Sequence, residues 1–270
     1  MSPVAKSALQ SQVEPSMSSP WDGGDPLLPA LLRCLITAAC LFCAPSATSL
    51  HAQPAALSSS KPASFSEPAN VGDVKAAATA YHDSGAYGRD LALKAAEASA
   101  WIVNRASHVQ NPALVLDIDD TALTNWEVIK ADDFGRIING PCDALPAGPC
   151  GWAAWDFLGK APVIGPTLAL FRQARGLNVA VFFITGRPEP QRNATEQNLR
   201  KAGYDGYSAL YMVPEGAHYP SAADFKAPVR AAIEAGGYTI IANVGDQPSD
   251  LAGGHAERAF LLPNPFYRIP

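Results

Sequence analysis

From residue 112 onward the chain repeats one pattern: a short apolar run, a polar cluster, then an amphipathic stretch. Ala113-Leu-Val-Leu116 runs into Asp117 behind Pro112, and Val179-Ala-Val-Phe-Phe-Ile184 is an unbroken apolar run. Such runs suit strands covered on both faces. Residues 208–213, 238–244 and 258–262 read as three more strands. Helices are expected between them: 166–175 with proline in its first turn, 190–202 closed by Gly203, and 227–235 ended by Gly236-Gly237. Strand–helix alternation of this kind predicts an α/β fold, a Rossmann-like central parallel sheet with helices on both faces. Upstream, residues 71–106 are Ala-rich and amphipathic, and Gly85 and Gly88 are expected to divide them into two N-terminal helices. Residues 122–160, punctuated by aromatic, Gly and Pro residues, form an insertion after the first strand.

The first 70 residues lack this pattern. Residues 1–26 are rich in Ser, Pro and Gly, and residues 27–44 form an apolar run interrupted by Pro29 and Arg33. Residues 34–44 have the length of a signal-peptide apolar region, Arg33 gives the positive flank, and Ala47-Thr48-Ser49 or Ala52 offers a cleavage point. The expected plan is a leader and signal peptide over 1–52, a Pro/Ser/Ala linker over 53–70, and one domain over 71–270. This predicts an exported protein, periplasmic or secreted, with no stable membrane span after cleavage. A retained anchor through 27–44 is the alternative, since the run is near the short limit for a span. Three of the five cysteines, Cys34, Cys40 and Cys43, would leave with the leader. Cys142 and Cys150 remain, in a Pro/Gly-rich loop. In an exported chain such a pair reads as a local disulfide; free thiols or half a zinc site are the other readings, and no further Cys remains to complete such a site. The net charge of -5 gives no general electrostatic reason to bind nucleic acid or anionic lipid.

The strand ends carry the chemistry. The first strand ends in Asp117-Ile-Asp119-Asp120-Thr121, the second in Thr185-Gly186-Arg187, and the fourth in Gly245-Asp246-Gln-Pro-Ser249-Asp250. Lys226 is expected just before the helix that precedes the fourth strand. In a parallel α/β sheet these residues gather along one edge. Each has a plainer reading on its own. Asp and Thr after strands serve as turn residues and helix caps, and a lone lysine is usually a solvated surface residue. Three acids within four residues at a buried strand end, however, are costly without a cation. Together the set suits phosphoryl transfer. One carboxylate can attack phosphorus while a second, two residues on, handles the proton of the leaving group. Mg²⁺ held by Asp117 and Asp246 would offset repulsion between the acids and a phosphate. Thr185 and Lys226 can bind phosphate oxygens, and Gly186 permits a close backbone approach.

Asp-Ile-Asp-Asp-Thr, Ile-Thr-Gly-Arg, Phe-Lys226 and Gly-Asp-Gln-Pro-Ser-Asp resemble the four motifs of the haloacid dehalogenase-like (HAD) superfamily. Phe-Lys226-Ala-Pro-Val-Arg230, Gly-Asp-Gln-x-Ser-Asp-Leu and Leu-Pro-Asn-Pro-Phe-Tyr are similar to its acid phosphatase branch, subfamily IIIB, which includes class C bacterial enzymes and plant acid phosphatases or vegetative storage proteins. The resemblance covers about residues 75–270. It implies Asp117 as nucleophile and metal ligand, and Asp119 as general acid and base that also binds the metal through its backbone carbonyl. Thr185, Gly186 and Lys226 would bind phosphate, Asp246 would ligate Mg²⁺, and Asp250 would orient water or Lys226, with Arg230 supporting the site. Asp120 stands where relatives often have Glu. The implied activity is Mg-dependent hydrolysis of small phosphate monoesters through a phospho-aspartyl intermediate. A phosphotransferase, or a catalytically weak storage or binding protein on the same fold, is the alternative. The resemblance also makes residues 122–160 a cap. There Trp126, Trp152, Trp155 and Phe134 are expected to pack a small core, or else to stack on an aromatic leaving group. Tyr204, Tyr207, Tyr211 and Tyr219 are expected to pack around the third strand, with one near Lys226 able to edge the cleft. The sequence sets no oligomeric state.

Overall fold

Each of the five apolar runs forms a strand in the computed structural model, which describes residues 67–270. The leader and signal readings lie outside the described residues. The strands are β1 (Pro112–Leu116), β2 (Ala180–Pro188), β3 (Ala209–Val213), β4 (Thr239–Gly245) and β5 (Ala259–Leu261). They form one sheet in the order β3-β2-β1-β4-β5, and every pair is parallel. The chain therefore leaves β1 toward one edge through β2 and β3, then returns to lay β4 and β5 on the other side. The crevice between the carboxyl ends of β1 and β4 is the switch point where open α/β sheets bind ligands.

Period-two alternation divides the buried side chains between two faces. Ala113 and Val115 join Phe182, Ile184 and Ile240 in a cluster with Phe225 and Ile233 of α7 (Ala222–Ala235). Leu114 and Leu116 join Val181 and Phe183 in a larger cluster with α2 (Ala86–Arg105) and α5 (Gly165–Gly176). Helices thus cover both faces, as the unbroken apolar runs predicted. The remaining helices are α1 (Val71–Asp83), α3 (Trp126–Ala131), α4 (Trp152–Leu158), α6 (Arg192–Ala202) and the single turn α8 (Pro248–Leu251). Among the described residues no helix is long and apolar enough to cross a membrane.

Two element boundaries differ from expectation. The N-terminal helices part at Ser84-Gly85, where Gly85 takes a left-handed φ of 74°, while Gly88 lies inside α2 with open space where a side chain would be. A glycine weakens a helix but breaks it only where the backbone must turn. Lys226 is inside α7 rather than before it. The helix starts at Ala222, five residues before the expected residue 227, because Ser221 and Asp224 form a capping box, with the Ser221 N–H donating to Asp224 Oδ2 at 3.0 Å. Pro228 is carried inside the helix at the loss of one backbone hydrogen bond.

The insertion is built from α3, α4 and the loop between them, where Cys142 and Cys150 are joined as a disulfide. Asp132 ties this loop down by accepting the Cys150 N–H at 2.7 Å. Trp126 stacks on His82 of α1 at 3.7 Å between ring centroids, and Phe134 meets the same indole edge-on. Trp155 is buried. These three aromatics pack, and only Trp152 of the four faces the cleft.

Candidate active site

Asp117 follows the last residue of β1, and its N–H donates to Val244 O of β4 at 3.0 Å. This bond across the switch point holds the tips of the two central strands together. Asp246 follows the last residue of β4. At β2 the register with β3 shifts between Ile184 and Pro188, so Thr185-Gly186-Arg187 leaves the ladder at the sheet edge. α7 brings Lys226 to the same edge from the second face.

The result is a buried cluster of charge. Lys226 Nζ donates to Asp117 Oδ1 and, at 2.7 Å, to Asp250 Oδ1. Oδ2 of Asp250 accepts the Gln247 N–H at 2.9 Å, so both its oxygens are engaged in holding Lys226 and the β4–α8 turn. Gly245 makes this possible, since a side chain there would meet Asp250 Cβ at 2.5 Å. Asp246 Oδ2 receives Gln247 Nε2 at 2.7 Å and Asn264 Nδ2 at 2.6 Å, while Oδ1 has only Thr121 Oγ1 at 3.3 Å. Among the described residues no donor reaches Oδ2 of Asp117.

The electrostatics follow from burial. Desolvation pushes the Asp117 carboxyl up to about 7, against the pull of the Lys226 ammonium, and Asp250 and Asp119 add to the rise. Burial likewise drives Asp246 well above the usual carboxylate range, helped by Asp250 and Asp117. Burial would lower Lys226, but Asp117 and Asp250 outweigh it and hold the ammonium charged. Three buried carboxylates thus face one ammonium. One ligand atom from each of Asp117, Asp246 and Asp250 lies within 4.8 Å of the others. An all-oxygen donor set with uncompensated negative charge, an unengaged oxygen on Asp117 and a lightly held one on Asp246 fits a hard divalent cation.

Asp119 lies in the same cleft but outside that carboxylate cluster. Its Oδ1 accepts Arg187 Nη2 at 2.7 Å, Arg187 Nε at 3.2 Å and Asn125 Nδ2 at 2.9 Å; its Oδ2 accepts Arg187 Nε at 3.1 Å. Burial pushes this carboxyl up, but Arg187 and the hydrogen bonds prevail and hold it below the ordinary value. Gly186 lines the cleft, whereas Thr185 is fully buried beside it with Oγ1 accepting the Arg187 N–H at 3.2 Å. Arg230 is away from the cleft. It donates to the backbone carbonyls of Asp250 at 2.7 Å, Gly254 at 2.9 Å and Ala252, and so fixes the loop after α8.

Sequence reasoning missed Arg187, Asn125, Asp156, Asn264 and Tyr267 as site residues. Tyr267 donates to Asp120 Oδ2 at 2.9 Å and lines the cleft with Trp152 and Tyr219. Arg187 stood inside a motif already singled out. Its burial, with 3% of its surface exposed, depends on partners far away in the chain and has no local signal. The cleft has a volume of about 390 Å³, within the range of small-molecule sites.

Comparison with known proteins bears on the family and the fold. A family model described as HAD superfamily, subfamily IIIB (Acid phosphatase), matches residues 47–270. "Acid phosphatase 1" of Solanum lycopersicum is 32% identical over 156 residues, 57% of this chain and 58% of that protein. "Stem 28 kDa glycoprotein" of Glycine max is 33% identical over 159 residues, 57% of this chain and 59% of that protein. The match therefore spans less than two thirds of these relatives. Among solved structures, the class C acid phosphatase from Bacillus anthracis superposes with a TM-score of 0.58 at 17% identity, covering 73% of this chain and 85% of that one. That likeness concerns the fold.

Proposed function

The chain belongs to the HAD superfamily, subfamily IIIB (acid phosphatase), and from that premise we propose that it hydrolyses small phosphate monoesters with Asp117 as nucleophile. The observation that carries the reading is the meeting of Asp117, Lys226, Asp250 and Asp246 at the switch point of the sheet.

In the first step an Asp117 oxygen attacks phosphorus, the ester P–O bond breaks, and Asp119 gives its proton to the leaving oxygen. In the second, water attacks the phosphorus of the aspartyl phosphate and gives a proton to Asp119. Inorganic phosphate leaves and the Asp117 carboxylate is restored. This divides one difficult displacement into two easier ones. Lys226 neutralises charge on the transferring group, and Thr185 and the Gly186 backbone hold its oxygens. Asp250 keeps Lys226 in place. Asp117, Asp246 and the backbone carbonyl of Asp119 would hold Mg²⁺, which when bound offsets repulsion between the acids and the phosphate. The Arg187 bond keeps Asp119 ionised at rest, the state needed for the second step. For the first step, a substrate entering as its monoanion can supply the proton, and the added negative charge beside Asp119 favours its protonation.

Transfer of the phosphoryl group to an alcohol shares the whole first step. A new phosphate ester formed when a competing alcohol is added would identify it. The disulfide, together with a relative named as a stem glycoprotein, supports export of the chain.

The test is phosphate release from an aryl phosphate by the purified protein, with Mg²⁺ and then with chelator. Release that stops with chelator is expected. A rate unchanged by chelator contradicts the metal assignment, and no release from a panel of small esters contradicts the phosphatase reading.

A further inference from the structure

Asp119 is gripped from the insertion by two separate routes, and both start on α4. Asp156 lies 3.3 Å from Nη2 of Arg187, the nitrogen that bonds Asp119 Oδ1. Trp155, its neighbour in sequence, donates from Nε1 to Asn125 Oδ1 at 2.8 Å, and Asn125 donates from Nδ2 to the same Asp119 oxygen. Arg187 is held further by Thr195 Oγ1, 3.3 Å from Nη1. Asp156, Arg187, Trp155 and Asn125 are all buried, so water does not compete for these bonds. Neither Asn125 nor Trp155 belongs to a strand-end motif, and Asp156 Oδ1 has no hydrogen bond of its own. That oxygen faces the Arg187 guanidinium.

The grip is lopsided. Three donors converge on Asp119 Oδ1 and a single 3.1 Å contact reaches Oδ2. Oδ2 is left as the less engaged oxygen of the pair. We propose that α4 positions the general acid: Arg187 and Asn125 set the orientation of Asp119, and Asp156 and Trp155 hold those two in turn. The four are positioning residues, since they act through Asp119. The insertion is thereby wired to the proton-transfer step and not to the nucleophile, whose partners all come from the sheet edge and α7. This rests on the assignment of Asp119 as general acid made above.

General acid catalysis contributes about 10²- to 10⁴-fold, most for a leaving group that needs its proton. The experiment compares an alkyl phosphate, whose alkoxide leaves poorly, with p-nitrophenyl phosphate, whose phenolate leaves readily. The proteins are wild type, Asp119→Asn, Asp156→Asn, Trp155→Phe and Arg187→Lys. Asp156→Asn is nearly isosteric, Trp155→Phe keeps an aromatic ring but loses volume with the indole N–H, and thermal melts with and without Mg²⁺ establish that each variant is folded. The expected result is that Asp119→Asn loses kcat/KM, which reports the leaving-group step and not the hydrolysis of the aspartyl phosphate, by about a hundredfold or more on the alkyl ester but only several-fold on the aryl ester. Asp156→Asn, Trp155→Phe and Arg187→Lys should lose in the same selective way to a smaller degree, with KM little changed. If Asp119→Asn is selective and the other three fall equally on both esters, or change KM alone, the positioning role is overturned while the acid assignment stands. If Asp119→Asn is itself unselective, the acid assignment fails and the inference falls with it.

Discussion

At the carboxyl edge of the sheet, three acids (Asp117, Asp246 and Asp250) meet one lysine. On the side of the insertion, two acids (Asp119 and Asp156) share one arginine, and the neutral donors Asn125 and Trp155 complete the set. The first arrangement carries an excess of negative charge that its own donors do not balance, and Oδ2 of Asp117 receives no donor from the described residues. The second is nearly closed on itself. A site that must take up a cation and a phosphate is built with unsatisfied charge, whereas a group that must hold one orientation is surrounded by fixed donors.

Removing the cation of the sheet edge should sharpen this contrast most. Lys226→Met would leave Asp117 and Asp250 buried without their shared cation, and breaking a buried pair from one side costs about 3–5 kcal/mol. Urea denaturation without divalent cation should show that loss, and added Mg²⁺ should recover part of it. A variant as stable as wild type in chelator would mean that the acids are already balanced.

The insertion offers a smaller and separable effect. Replacing Cys142 and Cys150 by Ser opens a short loop and should cost about 2–3 kcal/mol, read by the same denaturation. Mg²⁺ binding by calorimetry should be unchanged, because the disulfide touches no residue of the carboxylate cluster. Lost Mg²⁺ affinity in that variant would break the separation between the two regions.

The two regions also share a pH dependence. Burial raises Asp117 and Asp156 to about 7 and Asp120 to about 6, and places Asp246 well above its ordinary value. These groups ionise near pH 4 in the unfolded chain. Between those values the folded state binds more protons than the unfolded, so its stability falls as pH rises from about 4 to about 7. Asp119, held low, opposes the trend, as do the surface carboxyls of Asp83, Glu97, Glu189 and Glu257, which their hydrogen-bonded partners lower. The melting temperature in chelator should therefore decline across that window, and Mg²⁺ should stabilise the protein more at pH 7 than at pH 5. A melting temperature that rises across the window in chelator would contradict the direction of these shifts.

The two regions also differed in how far the sequence disclosed them. The strands and their terminal acids are local patterns, so an apolar run ending in Asp117 or Asp246 can be seen without knowing the fold. Lys226 was recognised, yet its placement inside α7 was hidden by Pro228, which imitates a helix start. Arg187 and Asp156 are 31 residues apart in the chain, and nothing near either announces the other. The same holds for Asn125 and Trp155, which read as ordinary insertion residues. Trp126 and Phe134 could equally have faced the cleft, and only docking of the insertion against α1 and His82 turned them inward.

Turnover of an aryl phosphate by Asp117→Asn, with circular dichroism and thermal melts to show that it is folded, tests the central assignment most directly. Loss of at least about a thousandfold in kcat, as for removal of a nucleophile, is the predicted result. A rate within tenfold of wild type would contradict Asp117 as the attacking group.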